Sequence, residues 1–269
     1  MAAKIKRWTL DMANKWKNYK PPIRPSKYDL EVFKKYIKEK AKKYGKDTKI
    51  LILGSTPEFR DLVSKEKLTA YVCDYNKRNY IALTLLKKYK GKEVLIQQDW
   101  RKLKLKDKFD LVLGEASLNM VKADEVPLIL KSVKKILKDD GLLIFKMWVR
   151  LPRSALSLKK ILKTYRTKYK NKNFKNCMNQ QLHSLYYHKE KGSLHKQYLT
   201  FKKLYEKGIL TKKEFSTVLG LGYETSPLAL YLPSKTEFSK IVRKYMKIVK
   251  IITPKQIGTN KIPIYVLRK

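Results

Sequence analysis

The segment around which this chain is organised reads Lys49-Ile50-Leu51-Ile52-Leu53-Gly54-Ser55-Thr56-Pro57-Glu58. Its run of four apolar residues is too short for a helix and is typical of a strand buried on both faces. Gly54 ends the run, where glycine permits a positive φ or a close approach to a ligand. Ser55 or Thr56 can cap a following helix, and Pro57 suits its first turn. The segment predicts a strand, a turn and a helix whose first amide groups point toward the space over Gly54. The turn is either an ordinary strand-to-helix connection or a ligand site.

Strands alternate with helices from residue 49 to residue 148 in the predicted secondary structure. The predicted strands cover residues 50–53, 68–74, 93–98, 109–114 and 142–148. The predicted helices cover residues 26–44, 57–65, 76–89 and 123–137. This spacing indicates parallel strand–helix–strand units with right-handed crossovers. After a last helix over 234–245, strands over 247–252 and 262–267 are joined by a short connection, which favours an antiparallel pair.

The alternation stops between residues 151 and 232. Helical patterns there cover 156–169, 180–187, 199–207 and 212–219, and the polar run 168–176 predicts a solvated loop. We therefore expect three parts. They are an N-terminal arm and helix (1–45), a core (46–150 and 233–269) and a helical insertion (151–232).

The N-terminal arm combines aromatic side chains with prolines. Trp8, Trp16, Tyr19 and Tyr28 surround the sequence Lys-Pro-Pro-Ile-Arg-Pro of residues 20–25. The part before the prolines has the spacing of a short amphipathic helix over residues 5–17, which the prolines end. Two interpretations follow: the arm packs its aromatic side chains on the main domain, or it is a lid over a ligand site.

The composition limits the classes of function. Lysine and arginine together number 64 against 23 aspartate and glutamate residues, a formal net charge of +41. Such a surface attracts polyanions, so nucleic acid or another anionic partner is a candidate. No segment approaches the roughly 20 apolar residues of a membrane span, and the N-terminus lacks the apolar region of a secretory signal. With Cys73 and Cys177 as its only cysteines, the chain implies no disulfide framework, and we expect a cytoplasmic protein.

Chemically informative residues follow four successive predicted strands. Gly54 follows the first, Asp74 the second, Asp99 the third and Glu115 the fourth. Because parallel strands end at the same edge of a sheet, these residues are expected to meet there. Asp74 is placed to accept hydrogen bonds from both hydroxyls of a ribose. Asp99 is placed to accept from an adenine amino group, with Trp100 lining the ring.

Together these positions resemble the class I S-adenosylmethionine-dependent methyltransferases, over residues 49–148 and, by topology, over 234–269. The resemblance implies an α/β fold with a Rossmann-like, doubly wound sheet of seven strands. Its last strand is antiparallel, and a mostly helical insertion that selects the substrate lies between strands 5 and 6. It also implies S-adenosylmethionine as the cofactor. Residues 137–144, Leu-Lys-Asp-Asp-Gly-Leu-Leu-Ile, resemble the family's turn into strand five.

The resemblance also assigns roles to residues. It places the Gly54 turn at the methionine part of the cofactor, Asp74 at the ribose hydroxyls and Asp99 at the adenine amino group. Glu115, with Ala116 and Ser117, falls where the family's fourth motif lines the methyl-transfer site. The implied cofactor-binding residues are Gly54, Ser55, Thr56, Glu58, Asp74, Tyr75, Asp99, Trp100 and Glu115.

The glycine loop departs from the family's usual motif. Ile52 occupies the position of an acid, and Thr56 and Glu58 stand where further glycines are usual. The loop resembles a subgroup with the sequence Gly-x-Thr-Pro-Glu. Glu58 either contacts the α-amino group of the cofactor or satisfies backbone N–H groups at the start of its helix.

Methyl transfer requires the protein to align the nucleophile, methyl group and sulfur and to exclude water. A general base is needed only when the nucleophile starts protonated. The candidates are Glu115, His183 and His188, although Glu115 can instead bind the cofactor or cap the next segment. Cys177, His183, His188 and His195 do not match a common zinc spacing, so no metal site is predicted.

The sequence therefore predicts a methyltransferase that acts on an undetermined acceptor, either a small molecule or RNA. The alternative is a catalytically inactive protein of the same fold that binds nucleic acid through its basic surface. A nicotinamide dehydrogenase is disfavoured because Gly-x-Gly-x-x-Gly is absent.

Overall fold

The protein is described here by a computed structural model of residues 13–152, 156–186, 191–219, 223–226, 229–253 and 262–269. The strands within these ranges are β1 (Ile50–Leu53), β2 (Ala70–Cys73), β3 (Glu93–Ile96), β4 (Phe109–Glu115), β5 (Leu137–Lys146), β6 (Lys191–Ser193), β7 (Ala229–Tyr231), β8 (Lys247–Ile252) and β9 (Ile264–Arg268). Seven of them form one sheet in the order β3-β2-β1-β4-β5-β9-β8, and β6 and β7 form a separate antiparallel pair.

The large sheet has the predicted topology. Strands β1 to β5 are mutually parallel, and β9 runs antiparallel to both of its neighbours, β5 and β8. The strand order reverses direction at β1 and β4, which pair with each other side by side. The prediction of a doubly wound α/β sheet with an antiparallel last strand is confirmed.

The helices are α1 (Lys27–Tyr44), α2 (Pro57–Lys65), α3 (Lys77–Thr84), α4 (Val126–Ile136), α5 (Leu158–Thr164), α6 (Phe174–Tyr186), α7 (Leu194–Glu206), α8 (Lys212–Ser216) and α9 (Lys235–Arg243). Ser26 and Asp29 form a capping box at the start of α1, and Gly45 ends the helix at a φ of 59°. None of the described helices is long and apolar enough to cross a membrane.

Two predicted boundaries differ from the structure for identifiable reasons. Helix α3 ends at Thr84 rather than Tyr89 because the carboxylate of Asp61 in α2 accepts from the backbone amides of Lys88 and Tyr89. Strand β5 begins at Leu137, directly after α4, and the predicted turn at residues 139–141 lies within it at an irregularity in its pairing with β4.

The insertion has its own apolar core and is more ordered than the sequence predicted. Helix α6 begins at Phe174, and Phe174 and Lys175 are fully buried, so the predicted solvated loop is wrong for residues 174–176. Phe174 packs on Tyr165, which directly follows α5, and on Phe201 of α7. The pairing of β6 with β7 was not predicted, since strands of three residues carry almost no periodicity.

Helices cover both faces of the large sheet. On one face, Phe145 of β5 and Tyr265 of β9 stack on each other and contact Phe238 of α9. On the other face, Phe33 of α1 packs on Phe59 of α2, above the β1 side chains Ile50 and Ile52. The four residues of β1 are all buried, as expected for a central parallel strand.

Gly141 provides a test of the irregularity in β5. A Cβ atom on Gly141 would lie 2.8 Å from the carbonyl oxygen of Phe109 and 2.9 Å from that of Lys138. Gly141→Ala is expected to lower the free energy of unfolding by about 1–3 kcal/mol, because backbone atoms must shift. Asp139→Ala is the control, because the Asp139 side chain is fully exposed and should change stability by less than about 0.5 kcal/mol. Urea denaturation measures both; equal stability of the two variants would contradict the prediction.

Candidate functional site

The turn after β1 joins the ends of three strands. Gly54 has a φ of 93°, a conformation that strains any other residue. The Gly54 N–H donates to the carbonyl of Cys73 at the end of β2, and the indole N–H of Trp100, beyond β3, donates to the same oxygen, both at 2.8 Å. The Trp100 ring lies 3.7 Å from the place of a Cβ atom on Gly54. The predicted convergence of these loops is present.

Asp74 is held against the Gly54 turn. The Ser55 hydroxyl donates to Asp74 Oδ2 at 2.7 Å, and the Asn76 backbone amide donates to Oδ1 at 3.0 Å. Ser55 therefore does not cap α2, contrary to one of the two predicted arrangements. Thr56 occupies the N-cap position, but its side chain makes no capping hydrogen bond. The start of α2 consequently lies beside Asp74 without a side-chain cap.

The Asp99 carboxylate is paired with Arg101. Its carboxylate accepts from the backbone amide of Arg101 and, at 2.6–2.9 Å, from the Arg101 guanidinium, which also pairs with Glu125. Hydrogen bonds from Arg101 hold the pKa of Asp99 below its usual value. Its assignment to an adenine amino group stays a prediction, as does that of Tyr75, whose side chain is exposed.

Glu58, in the first turn of α2, contacts the arm. Its Oε1 accepts from Arg24 Nε at 2.7 Å and from the Trp16 indole N–H at 3.4 Å. Its Oε2 is buried and has no hydrogen-bond partner among the described residues. Glu58 is therefore bound to the arm rather than to helix amides. One carboxylate oxygen remains available at the edge of the site.

A buried charge cluster lies at the ends of β4 and β5. Glu115 and Lys146 face each other across these strands, with Lys146 Nζ 3.2 Å from Glu115 Oε1. The same ammonium donates to Asp29 at 2.8 Å and to the carbonyl of Pro22 at 3.2 Å. The side chains of Lys146 and Asp29 are completely buried, and that of Glu115 is 2 % exposed.

The cluster perturbs both members of the Glu115–Lys146 pair. Burial raises the pKa of Glu115 to about 8; Lys146 opposes this rise, and Asp29 adds to it. Burial alone would lower the pKa of Lys146, but Glu115 and Asp29 outweigh it and the net shift is upward. Lys146 is therefore the charged centre of the cluster. Sequence reasoning missed it, although a lysine in the apolar run Leu142–Trp148 was the available signal.

His183 lies beyond the end of β5. Its ring packs edge-on against Trp148 at a centroid distance of 5.9 Å, and its side chain is buried. Burial, together with the positive charge of Lys175, lowers the pKa of His183, so the imidazole is neutral at pH 7. Gln180 and Ser184 of the same helix, α6, bind the backbone of Val149 and Leu151 and fix its position.

Two other sequence hypotheses concern histidine. His188 lies outside the described residues. The described residues contain no group of three or more His, Cys, Asp or Glu side chains arranged to hold a metal ion.

The arm lies across the same edge of the sheet. Trp16 and Arg24 bind Glu58 on one side, and Pro22 binds Lys146 at the centre. On the other side, Tyr19 lies near Tyr223 of the insertion. Burial raises the pKa of the Tyr223 hydroxyl, and the nearby Tyr19 raises it further. The predicted packing of the arm's aromatic side chains on the main domain is seen in these contacts. The role of a lid stays a prediction, and residues 1–12 lie outside the described ranges.

Comparison with known proteins adds three structural likenesses. The chain is similar to the N-methyltransferase NodS of Bradyrhizobium japonicum WM9, solved with S-adenosyl-L-homocysteine (TM-score 0.50, 10% identity, 91% of this chain and 88% of that one). It is similar to an S-adenosylmethionine-dependent methyltransferase of Clostridium acetobutylicum ATCC 824 (0.50, 13%, 89% and 92%). It is also similar to a Rhodobacter sphaeroides protein provisionally described as a zinc-dependent alcohol dehydrogenase (0.53, 12%, 96% and 98%). At these identities the likeness concerns the fold.

Sequence comparison is more specific for the core. A search of curated protein sequences gave no match. A family model described as a methyltransferase domain matches residues 54–145, which include Gly54, Asp74, Asp99 and Glu115. Residues 54–145 therefore match a methyltransferase domain, and the chain has the fold of the class I S-adenosylmethionine-dependent methyltransferases.

Proposed function

We propose that this protein transfers a methyl group from S-adenosylmethionine to a small acceptor that binds next to Glu115. The observation that carries the proposal is the convergence of Gly54, Ser55, Asp74 and Trp100 at one edge of the sheet. This is the edge at which doubly wound sheets bind ligands.

The residues at this edge suit the cofactor. Asp74 is held in place by Ser55 and Asn76, and a carboxylate has acceptor sites beyond those two hydrogen bonds for ribose hydroxyls. The buried, unpartnered Oε2 of Glu58 is a suitable acceptor for an α-ammonium group. When bound, the cofactor supplies a methyl group already activated on a sulfonium.

Glu115 is the candidate general base. A carboxylate with a pKa near 8 exchanges a proton readily near neutral pH, which suits an acceptor whose nucleophile starts protonated. Apart from the ion pair with Lys146, neither oxygen of Glu115 has a hydrogen-bond partner among the described residues. His183, neutral and buried at the end of β5, is a second candidate.

The enclosure of the site favours a small acceptor over RNA. The side chains of Glu115, Lys146 and His183 are buried, and Pro22 of the arm contacts Lys146. Trp148 and Tyr223 add aromatic surface on the side of the insertion. Sites for small molecules are concave and mostly apolar, with a few polar groups, whereas a polymer requires an open groove.

The net charge of +41 favours a second candidate function. In it, a catalytically inactive domain of the same fold binds nucleic acid through the basic surface. Polyanion binding that weakens steeply with salt, without methyl transfer to any acceptor, would support this alternative.

Asp74 tests the cofactor assignment. Asp74→Ala is expected to weaken S-adenosylmethionine binding by at least about 30-fold, because it removes hydrogen bonds to a charged group. Isothermal titration calorimetry measures the dissociation constant. The control, Asp107→Ala, removes an acid paired with Lys49 on the surface and should leave affinity unchanged. Absence of binding by the unaltered protein would overturn the proposed function; unchanged affinity in Asp74→Ala would overturn the site.

Label transfer from methyl-labelled S-adenosylmethionine distinguishes the acceptors. With a metabolite extract and total RNA offered separately, we expect label in the metabolite fraction. Glu115→Gln should reduce the rate by about 100-fold or more, as for loss of a general base. Glu206→Gln, a change in an exposed ion pair with Lys202, should not. Label found only in the RNA fraction would contradict the small acceptor and identify a polymer as the substrate.

The raised pKa of Glu115 predicts a pH-dependent stability. Because the folded state retains a proton that the unfolded state releases at about pH 4.5, the contribution of Glu115 to stability is fully present below that pH and is lost as pH rises through about 8. Between pH 5 and pH 8 the free energy of unfolding should fall by about 3–4 kcal/mol more in the unaltered protein than in Glu115→Gln. Urea denaturation at both pH values tests this, with Glu206→Gln as the control. Equal slopes in protein and variant would refute it.

A further inference from the structure

Lys146 joins three separate elements through one atom. Its Nζ donates to the Pro22 carbonyl of the arm at 3.2 Å and to Asp29 Oδ2 of α1 at 2.8 Å. It also forms the ion pair with Glu115 of β4 at 3.2 Å. An ammonium group has three protons and no acceptor; two hydrogen bonds go to Pro22 and Asp29, and the contact with Glu115 is an ion pair.

Complete burial makes these partners interdependent. The Lys146 side chain has no exposed surface while the arm is docked, so its contacts are made to protein groups and not to water. A buried ammonium group is stable only while its neighbours compensate its charge and its protons. Displacement of Pro22 leaves one proton without an acceptor, and loss of Glu115 or Asp29 alters the balance of charge.

We infer that Lys146 is a positioning residue, which ties the docking of the arm to the orientation of the Glu115 carboxylate. The arm supplies Pro22 when it lies across the site, and the ammonium then holds Glu115 in a single orientation. The inference deepens the proposed function and rests on it for the role of Glu115 as the base. The coupling itself exists in the free protein and is measurable there.

Charged groups from three elements face Glu115. Lys146 of β5 stabilises its charged form, whereas Asp29 of α1 and Glu58 of α2 oppose it. Glu58 is in turn paired with Arg24 of the arm, which offsets its negative charge while the arm is docked. Removal of the Lys146 charge is therefore expected to shift the titration of Glu115 upward, and removal of Asp29 to shift it downward.

The experiment follows the side-chain carboxyl resonance of Glu115 by carbon-13 NMR across pH, with the signal identified by its loss in Glu115→Gln. Lys146→Met should raise the midpoint by one pH unit or more, about tenfold in the ionisation constant. Lys146→Arg, which keeps the charge, should leave the midpoint close to that of the unaltered protein. Lys138→Met is the matched control, because Lys138 pairs with Asp110 of β4 away from Glu115.

Arm docking is measured on the same variants by limited trypsin digestion at Lys15 and Lys17, two lysines of the arm that are not followed by proline. Cleavage should be at least about fivefold faster in Lys146→Met and unchanged in Lys138→Met, because local opening exposes the arm to the protease. A shifted midpoint without faster cleavage, or faster cleavage without a shifted midpoint, would overturn the coupling.

Asp29→Asn keeps the inference testable if Lys146→Met does not fold. It preserves size and should lower the Glu115 midpoint; an unchanged midpoint would overturn the inference. None of these measurements requires a cofactor. Failure to bind S-adenosylmethionine would therefore overturn the proposed function. The coupling between the arm and Glu115 would still be decided by the NMR and digestion results.

Discussion

The parallel pairing of β1 with β2 on one side and β4 on the other is the constraint on which the site depends. All four residues of β1 are buried, so the strand is covered by helices on both faces and each connection returns over the sheet. Successive strands therefore end at one edge, and the chain departs in opposite directions from β1 and β4. Gly54, Asp74 and Glu115 stand at that edge because of this topology, although they are separated along the chain by 20 residues or more.

Two acids with buried side chains show how the surroundings shift the pKa of a carboxylate in opposite directions. Burial raises the pKa of Glu93, but Arg60 and Lys87 outweigh it and the net shift is downward. Glu93 also accepts from Tyr80, so its charge is fully compensated. For Glu115, burial prevails over Lys146, and Asp29 adds repulsion. Incomplete compensation of this kind is common among carboxylates at functional sites, and it is the reason for proposing Glu115 as the base.

The arm covers this edge of the sheet. It contributes a cation to Glu58, a carbonyl to Lys146 and an aromatic ring near the insertion, so it contacts the start of α2, the charge cluster and the insertion at once. An enclosed site of this kind strengthens electrostatic interactions and excludes water, both of which favour group transfer. The insertion closes the same edge from the other side, where α6 is fixed to the backbone beyond β5.

The sequence by itself determined the elements whose signals are local. Local signals mark the apolar run Ile50–Leu53, the capping box at Ser26 and the glycine turn, because each depends on residues close together in the chain. The sheet was therefore predictable, and so was the meeting of Gly54 and Asp74 at its edge. Tertiary structure alone decided which groups meet. Asp29 and Lys146 are 117 residues apart, and only strand register and arm docking bring them together. Likewise, Ser55 binds Asp74 rather than capping α2, because a long-range hydrogen bond to a buried carboxylate replaces the local one.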